Sequence, residues 1–215
     1  MLRALHRGCP TNGWKTMREE EAFTDVQREW LEDLALACSA LSFVGSMLVI
    51  ISFVQFASLR TFSMKMILML ALSDLGSGVG WFAGVGSEPG STQCLVQGLL
   101  LQYFQLSSIV WTTAIAFVLQ LSSRAKYRVQ LPELWHLGMY AWGVPFILTL
   151  LPLTTNNYTK PPGGTHGWCW IGTTDEAEFD SGTGWRFAAF YVPLWGAIFY
   201  NTWVCLWVLE RKRRA

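Results

Sequence analysis

The stretch CLVQGLLLQYFQLSSIVWTTAIAFVLQLSS, which runs from Cys94 to Ser123, contains no charged side chain. An α-helix of this length extends about 45 Å, enough to cross the roughly 30 Å hydrocarbon core of a bilayer. A mostly polar set of residues recurs within about a quarter of the helix circumference: Cys94, Gln97, Leu101, Gln105, Ser108 and Thr112. Because polar side chains in lipid need partners, we expect this helix to lie inside a bundle, with its polar stripe facing a shared interior.

The overall composition indicates a membrane protein rather than a water-soluble domain. The chain has 215 residues, of which 52% are hydrophobic and 14% are charged, whereas soluble domains average about 25% charged residues. The net charge of +1 gives no general affinity for nucleic acid, and no nucleic-acid partner is predicted. The N-terminus has no apolar run of the length that a signal peptide needs, so we expect no cleavage.

Four further apolar segments accompany the central one, and together they predict an all-α membrane protein. The predicted spans are residues 34–56, 66–84, 94–121, 134–153 and 185–209. We therefore expect a bundle of five transmembrane helices over residues 34–210. A polar extracellular tail, residues 1–33, precedes the bundle, and a basic cytoplasmic stub, residues 211–215, follows it.

Basic residues are concentrated on one side of the predicted bundle. That side holds nine of them: Arg60, Lys65, Arg124, Lys126, Arg128, Arg211, Lys212, Arg213 and Arg214. The outer loops between the spans hold Lys160, with Arg186 at the start of the fifth span. The positive-inside rule then places the N-terminus and the long loop 154–184 outside and the C-terminal stub inside. The inner basic residues are expected to meet a partner or anionic membrane lipid.

Two outer cysteines are candidates for a disulfide bond. Cys94 begins the third span and Cys169 lies in the long outer loop, where the environment is oxidising. A bond between them would tie the loop to the third span, although pairing of one of them with Cys9 stays open. The same loop contains the triplet Asn157-Tyr158-Thr159, a glycosylation sequon with Asn157 as the predicted acceptor.

Asp74 is the one acidic residue inside a predicted span. An intramembrane carboxylate usually faces the bundle interior or a water-filled pocket. Two interpretations stay open: an ion or proton site that responds to conformational state, and a structural acceptor for neighbouring hydroxyl and amide groups. Catalytic and metal-binding signatures such as H-E-x-x-H, G-x-S-x-G and the P-loop are absent from the sequence, so we predict no enzyme, no metal and no cofactor.

Several stretches resemble the cyclic-AMP-receptor-like family of G-protein-coupled receptors, which comprises slime-mould chemotactic receptors and relatives in plants, protists and fungi. The resemblance covers residues 34–210 and rests on four segments, besides Asp74 in LALSDL: LQYFQLSSIVWTTAIAFVL (101–119), WGVPFILTLLPLTTNNY (142–158), GWCWI (167–171) and WRFAAFYVPLW (185–195). The family has seven spans, so the five found here correspond to its first five and the chain is expected to be truncated after the fifth. The inner end of the third span also lacks the acid-Arg-aromatic triplet of rhodopsin-like receptors, so no coupling residue is transferred there.

The resemblance implies a plasma-membrane receptor that transmits an extracellular signal to a heterotrimeric G protein. A small-molecule ligand, anionic if it is like that of some members, is expected at the outer ends of the spans. The residues predicted to bind it are Gln97, Gln105, Trp170, Arg186 and Tyr191. The inner residues predicted to contact the G protein or lipid are Arg124, Lys126, Arg128, Arg211 and Lys212. Two alternatives stay open: a non-signalling fragment that associates with a full-length receptor, and a small transporter or channel subunit that uses Asp74 and the polar stripe.

Overall fold

The computed structural model describes residues 25–124, 133–160, 168–172 and 181–214. Five helices in these ranges are long and apolar enough to cross a membrane. Their bounds are Asp25–Gln55 for α1, Phe62–Ala83 for α2, Thr92–Arg124 for α3, Leu134–Leu150 for α4 and Ser181–Arg213 for α5. The fifth is α-helical over Ser181–Arg186, π-helical over Phe187–Tyr191 and α-helical again over Val192–Arg213.

The helices other than α4 are longer than the spans that hydropathy predicts. Helix α1 begins at Asp25, nine residues before the predicted start at Leu34. Residues 25–33 of the predicted polar tail thus continue the first helix, and the span boundary at residue 34 stays a prediction. Hydropathy marks the part of a helix that lies in lipid, whereas backbone hydrogen bonding carries the helix on into water.

Helices α2, α3 and α4 form the core of the bundle. Trp111 of α3 is fully buried and packs with Met66 of α2 and Ala141 of α4. Ala114 and Val118 continue the same contact surface along α3. Small residues at these positions allow the helices to approach closely, which is how helices pack in a membrane.

Helices α1 and α5 lie at the margins of the described bundle. Large apolar side chains project from them, with Leu41 of α1 75% exposed and Phe199 of α5 69% exposed. Such exposure suits a surface that faces lipid tails or another apolar helix. Within the described bundle, the central helices thus pack against neighbours on several sides, whereas α1 and α5 pack against neighbours on fewer.

Between α4 and α5 the chain forms a short antiparallel hairpin. After a 3₁₀ turn at Pro152–Thr155, strand β1 (Tyr158–Thr159) pairs with β2 (Trp170–Ile171), and Tyr158 lies opposite Ile171. Asn156 adopts a left-handed backbone conformation with φ 54°, a region where Asn is tolerated better than most residues. The hairpin folds back over the head of α3, at what we call the disulfide end of the bundle.

The buried face of α3 departs from the predicted polar stripe. Cys94, Gln97 and Leu101 are buried as expected, but Gln105 and Ser108 are only half-buried and Thr112 is exposed. Buried residues outside the stripe include Gln102, Leu106 and Ser107. Helix α3 contacts α2, α4, α5 and both hairpin strands, so it buries residues on several sides rather than along one line.

Candidate functional site

A disulfide bond joins the hairpin to the first turn of α3. Cys94 and Cys169 are bonded, their Cα atoms lie 5.2 Å apart, and both residues are fully buried. Ser91 precedes the helix and its hydroxyl accepts from the Cys94 N–H at 3.1 Å, which holds the backbone beside the bond. The predicted Cys94–Cys169 pairing is confirmed, and it fixes the loop directly over the central helix.

The hairpin lies so close to α3 that one position there has to be glycine. A Cβ atom on Gly98 would lie 2.8 Å from the ring of Tyr158 and 3.5 Å from the backbone of Trp170. The Tyr158 hydroxyl donates to the Thr149 carbonyl of α4 at 2.8 Å. Burial raises the pKa of the Tyr158 phenol, so the hydroxyl keeps its proton, and this hydrogen bond, at neutral pH.

Gln97 supports the hairpin from below with its side-chain oxygen. Its Oε1 accepts from the Cys169 N–H at 3.0 Å and from the Ser87 hydroxyl at 3.5 Å. Both partners are donors, so the oxygen, and not the nitrogen, has to face the loop. The predicted ligand residue Gln97 is only 2% exposed, and its amide lies against Gly84, where a Cβ atom would come within 2.1 Å of it.

Gln102 connects the loop to α5, and sequence reasoning missed it. The indole N–H of Trp170 donates to Gln102 Oε1 at 2.8 Å, and Gln102 Nε2 donates to the Ala189 carbonyl at 3.1 Å. In an α-helix the Ala189 carbonyl would accept from the residue four positions later, which is Pro193 and has no N–H. Gln102 supplies the missing donor in the π-helical segment, a distortion that is frequent at functional sites.

The aromatic residues predicted to bind ligand lie beside this contact. The Trp170 ring meets Phe190 edge-on with centroids 5.0 Å apart, and Tyr191 with centroids 6.3 Å apart. Trp170 and Tyr191 are thus brought together. Gln105, in contrast, is half-buried and forms no hydrogen bond with the part of the chain that the structure describes.

Arg186 joins the start of α5 to the hairpin. Its Nε donates to the carbonyl of Ile171 in β2. Close by, a Cβ atom on Gly182 would lie 2.2 Å from the Gly172 carbonyl oxygen, so the two backbones are nearly in contact. This contact gives Arg186 a structural role, and its predicted contact with an anionic ligand stays a prediction.

Asn157, the predicted glycan acceptor, is buried in this fold. It is 1% exposed, and its amide hydrogen-bonds to the Ser181 hydroxyl at 3.0 Å. With its oxygen turned toward α5 it also accepts from the Gly182 N–H at 2.7 Å. A glycan is bulky and belongs on an exposed surface, and the sequon pattern does not report burial. The acceptor role of Asn157 stays a prediction.

Asp74 lies between α1, α2 and α3, half-buried. It accepts from the Ser108 hydroxyl at 2.7 Å, and beside it opens a groove of about 370 Å³ lined by Ser42, Gly45 and Ser46 of α1. The hydrogen bond corresponds to the structural-acceptor interpretation. The ion or switch interpretation stays a prediction.

The opposite end of the bundle, which we call the basic end, carries an aromatic-cation cluster. Arg124 of α3 and Arg211 of α5 both lie over the Trp207 ring, each 5.3 Å from its centroid. One turn deeper in α3, the side-chain oxygen of Gln120 accepts from the Tyr200 hydroxyl at 3.0 Å. Lys212 is exposed there as well. Lys126 and Arg128, also predicted at this end, lie outside the described residues.

Comparison with known proteins finds one family and several related receptors. The sequence profile described as "Slime mold cyclic AMP receptor" matches residues 24–210. The chain is 34% identical to "G-protein coupled receptor 1" of Arabidopsis thaliana, covering 89% of this chain and 56% of that protein. It is 30% identical to "Cyclic AMP receptor-like protein A" of Dictyostelium discoideum, covering 75% of this chain and 43% of that protein.

A solved structure has the same fold. Squid rhodopsin matches with a TM-score of 0.68 and 18% sequence identity, covering 92% of this chain and 59% of that chain. At this identity the likeness is one of fold, and it confirms the prediction of a receptor-type helical bundle. The chain spans about half the length of the curated relatives it matches.

Proposed function

The chain belongs to the slime mold cyclic AMP receptor family and is an integral multi-pass membrane protein, and from that premise we propose that it is a G-protein-coupled receptor. In this proposal an extracellular small molecule acts at the disulfide end and a heterotrimeric G protein is contacted at the basic end. The Arabidopsis relative is named a receptor and the Dictyostelium relative is named receptor-like. The signal, the coupling and the plasma-membrane location are parts of the proposal.

The observation that carries the proposal is the hydrogen-bonded path from Trp170 through Gln102 to Ala189. It joins a loop that an extracellular ligand can reach to a π-helical segment of α5. A ligand that displaces the Trp170 indole would remove one of the two partners of the Gln102 amide. In this proposal the conformation of α5 then shifts, because the Gln102 amide that donates to the Ala189 carbonyl is no longer held by Trp170.

The basic end offers a surface for the intracellular partner. Helix α5 ends there in Arg211, beside Trp207 and Arg124 of α3. A movement of α5 relative to α3 changes the spacing of these cations. Such a basic surface suits an acidic protein partner or an anionic lipid headgroup.

The orientation is also part of the proposal. Disulfides persist in oxidising compartments, so the Cys94–Cys169 bond supports an extracellular disulfide end. The basic residues at the other end support a cytoplasmic location for it. A cysteine introduced at Glu88 should be labelled from outside by a membrane-impermeant maleimide, and one introduced at Lys212 only after permeabilisation. The opposite labelling pattern would reverse the orientation.

The test of coupling is guanine-nucleotide exchange on a reconstituted G protein. Purified chain in lipid nanodiscs should accelerate exchange above the basal rate of the heterotrimer alone. Arg124→Glu should abolish the acceleration, because it reverses the charge of the proposed contact surface. Glu29→Gln, at the far end of α1, is the matched control and should leave the rate unchanged. Equal exchange with and without the chain would overturn the proposal.

A second candidate function follows from the exposed faces of α1 and α5. Leu41 and Phe199 project from helices at the margins of the bundle, where a further apolar helix would fit. The chain would then associate with a full-length receptor of the same family and alter its signalling. Co-purification with such a receptor from detergent, without acceleration of exchange by the chain alone, is the result that favours this candidate.

A further inference from the structure

A cleft that plays no part in the Trp170–Gln102 path opens at the disulfide end between α1, α2 and the loop. Its volume is about 210 Å³. Ten residues line it: Glu32, Asp33, Leu36, Trp81, Gly84, Val85, Gly86, Gln97, Lys160 and Trp168. It combines acidic, basic, amide and aromatic groups in a volume below the roughly 300–1,000 Å³ typical of drug-sized ligands.

One part of the cleft presents hydrogen-bond donors. The Gln97 side chain is 2% exposed, and its oxygen is turned away to accept from the Cys169 N–H and the Ser87 hydroxyl. Its Nε2 therefore carries two N–H donors, and these find no acceptor among the residues that the structure describes. This nitrogen is not one of the fully buried polar atoms without a partner, so it is open to the cleft and can donate to a bound acceptor. Lys160, half-buried beside it, forms no ion pair with any described residue.

Another part of the cleft suits a cation. Glu32 is half-buried and Asp33 is exposed, and neither forms an ion pair within the described ranges. The rings of Trp81 and Trp168 lie nearby with centroids 5.0 Å apart and an interplanar angle of 61°. Carboxylates and aromatic faces together attract an ammonium group.

We propose that this cleft binds a compact zwitterion, a molecule that carries an ammonium group and a carboxylate or phosphate a few bonds apart. The ammonium lies against Glu32, Asp33 and the tryptophan rings, and the anionic group accepts from Gln97 Nε2 and Lys160. With two acids and one lysine the cleft has a net charge of −1, so a purely anionic ligand is disfavoured. Free amino acids and the phosphoethanolamine headgroup of a lipid share this chemistry.

This inference names a ligand for the proposed receptor. The signalling that follows binding rests on the proposed function, whereas the binding itself does not. It assigns the anionic end of the ligand to Lys160 rather than to Arg186, whose Nε is already bonded to the Ile171 carbonyl. The contacts are made at the heads of α1 and α2, beside the same loop that the Cys94–Cys169 bond holds. A ligand there contacts Gln97, and so reaches the loop backbone at Cys169.

The binding test uses the purified 215-residue chain in maltoside micelles without added lipid. Each of the twenty L-amino acids and O-phosphoethanolamine is screened by saturation-transfer NMR, together with the matching amine without the acid and the acid without the amine. At least one zwitterion should bind with a Kd below about 1 mM, and both half-molecules at least tenfold more weakly. Binding of phosphoethanolamine alone assigns the site to lipid, and binding of an amino acid assigns it to a free ligand. No zwitterion below that Kd, or an amine that binds as tightly as its zwitterion, overturns the inference.

Four variants test the assigned contacts. Glu32→Gln and Lys160→Met should each weaken binding about tenfold, because each removes one charge-assisted contact. Gln97→Glu keeps an oxygen for Cys169 but replaces the donor with an acceptor, and it should abolish binding. Glu88→Gln changes an exposed acid outside the cleft and should have no effect. Melting temperatures establish that each variant is folded, and unchanged affinity in folded Glu32→Gln and Lys160→Met contradicts the proposal.

The two tests separate the inference from the proposed function. Zwitterion binding is measured without a G protein, and nucleotide exchange is measured without a zwitterion. Binding without exchange supports the cleft and removes the receptor proposal. Exchange without binding removes the cleft alone.

Discussion

The two ends of α3 are held in different ways. At the disulfide end, Gln97 and Gln102 are buried beneath the hairpin, and a covalent bond fixes the loop above them. At the basic end, one hydrogen bond links Gln120 to Tyr200, and Arg124 lies over the Trp207 ring. The disulfide end is held by a covalent bond and several hydrogen bonds to buried groups, and the basic end by one hydrogen bond and by cation–aromatic contacts.

This difference suits a molecule that senses at one end and moves at the other. Buried polar networks fix a single arrangement, because a partly satisfied network is costly. Exposed cation–aromatic contacts are worth only about 0.5–1 kcal/mol, so α5 can leave Arg124 with little loss. The difference between the two ends of α3 can be tested by removing one contact at a time and measuring the free energy of unfolding.

The largest loss is expected from the disulfide bond. Cys94→Ser and Cys169→Ser each open a loop of 75 residues, which should lower the free energy of unfolding by about 4 kcal/mol. The double variant should be no less stable than either single variant, since all three remove the same bond. Thermal unfolding in detergent measures this, and additive losses would mean that the two thiols act separately.

Replacing Gln102 should cause the next largest loss. Gln102→Leu leaves the Trp170 indole N–H and the Ala189 carbonyl without this partner, at a cost of about 2–4 kcal/mol. Gln105→Leu is the matched control, three residues along the same helix and half-buried, and it should cost less than about 0.5 kcal/mol. Equal losses in the two variants would remove the distinction between the buried and half-buried glutamines.

Pro193 provides a more specific test of the same contact. Pro193→Ala restores an N–H four residues after Ala189, so the helix itself can satisfy that carbonyl. In this background Gln102→Leu should cost about 1–1.5 kcal/mol less than in the wild type. Unfolding of the two single variants and the double variant gives this coupling. A coupling near zero would show that Gln102 and Pro193 act independently.

The smallest effect is expected at the basic end. Tyr200→Phe removes the hydrogen bond to Gln120 Oε1, which should cost about 0.5–1.5 kcal/mol. Gln120 is itself buried, but one hydrogen bond is lost here against two in Gln102→Leu, so the smaller loss is expected. A loss as large as that of Gln102→Leu would contradict the contrast between the two ends of α3.

Hydropathy was sufficient to predict the helices, and cysteine position favoured the disulfide bond. A run without charges between Cys94 and Ser123 allows few structures in a bilayer other than a helix. Cys94 and Cys169 lie on the same side of the predicted bundle, but so does Cys9, and only the folded structure decides between the pairings. These predictions depend on the average polarity of long segments, so an error of several residues in a helix boundary does not change them.

The polar contacts of the site required the folded structure. A single stripe on α3 assigned Gln105 to the interior and overlooked Gln102, because periodicity describes a helix with one buried face. Pro193 was a usable signal in the sequence. Because it has no N–H, the Ala189 carbonyl needs a donor from elsewhere. For Asn157 the sequence offered only a sequon, and the hydrogen bond to Ser181 arises from residues 24 positions apart.

The π-helical segment of α5 determines how the α-helical part after it is rotated relative to the α-helical part before it. Before it, Arg186 and Gly182 are aligned by the hairpin, and after it, Val204 and Val208 are buried within the bundle. An α-helix turns about 100° per residue, so the wider turn at Phe187–Tyr191 sets the rotational phase between these halves. Deleting one residue there would rotate one half by about 100° relative to the other. The length of this segment, and not only its chemistry, is therefore part of what the sequence has to specify.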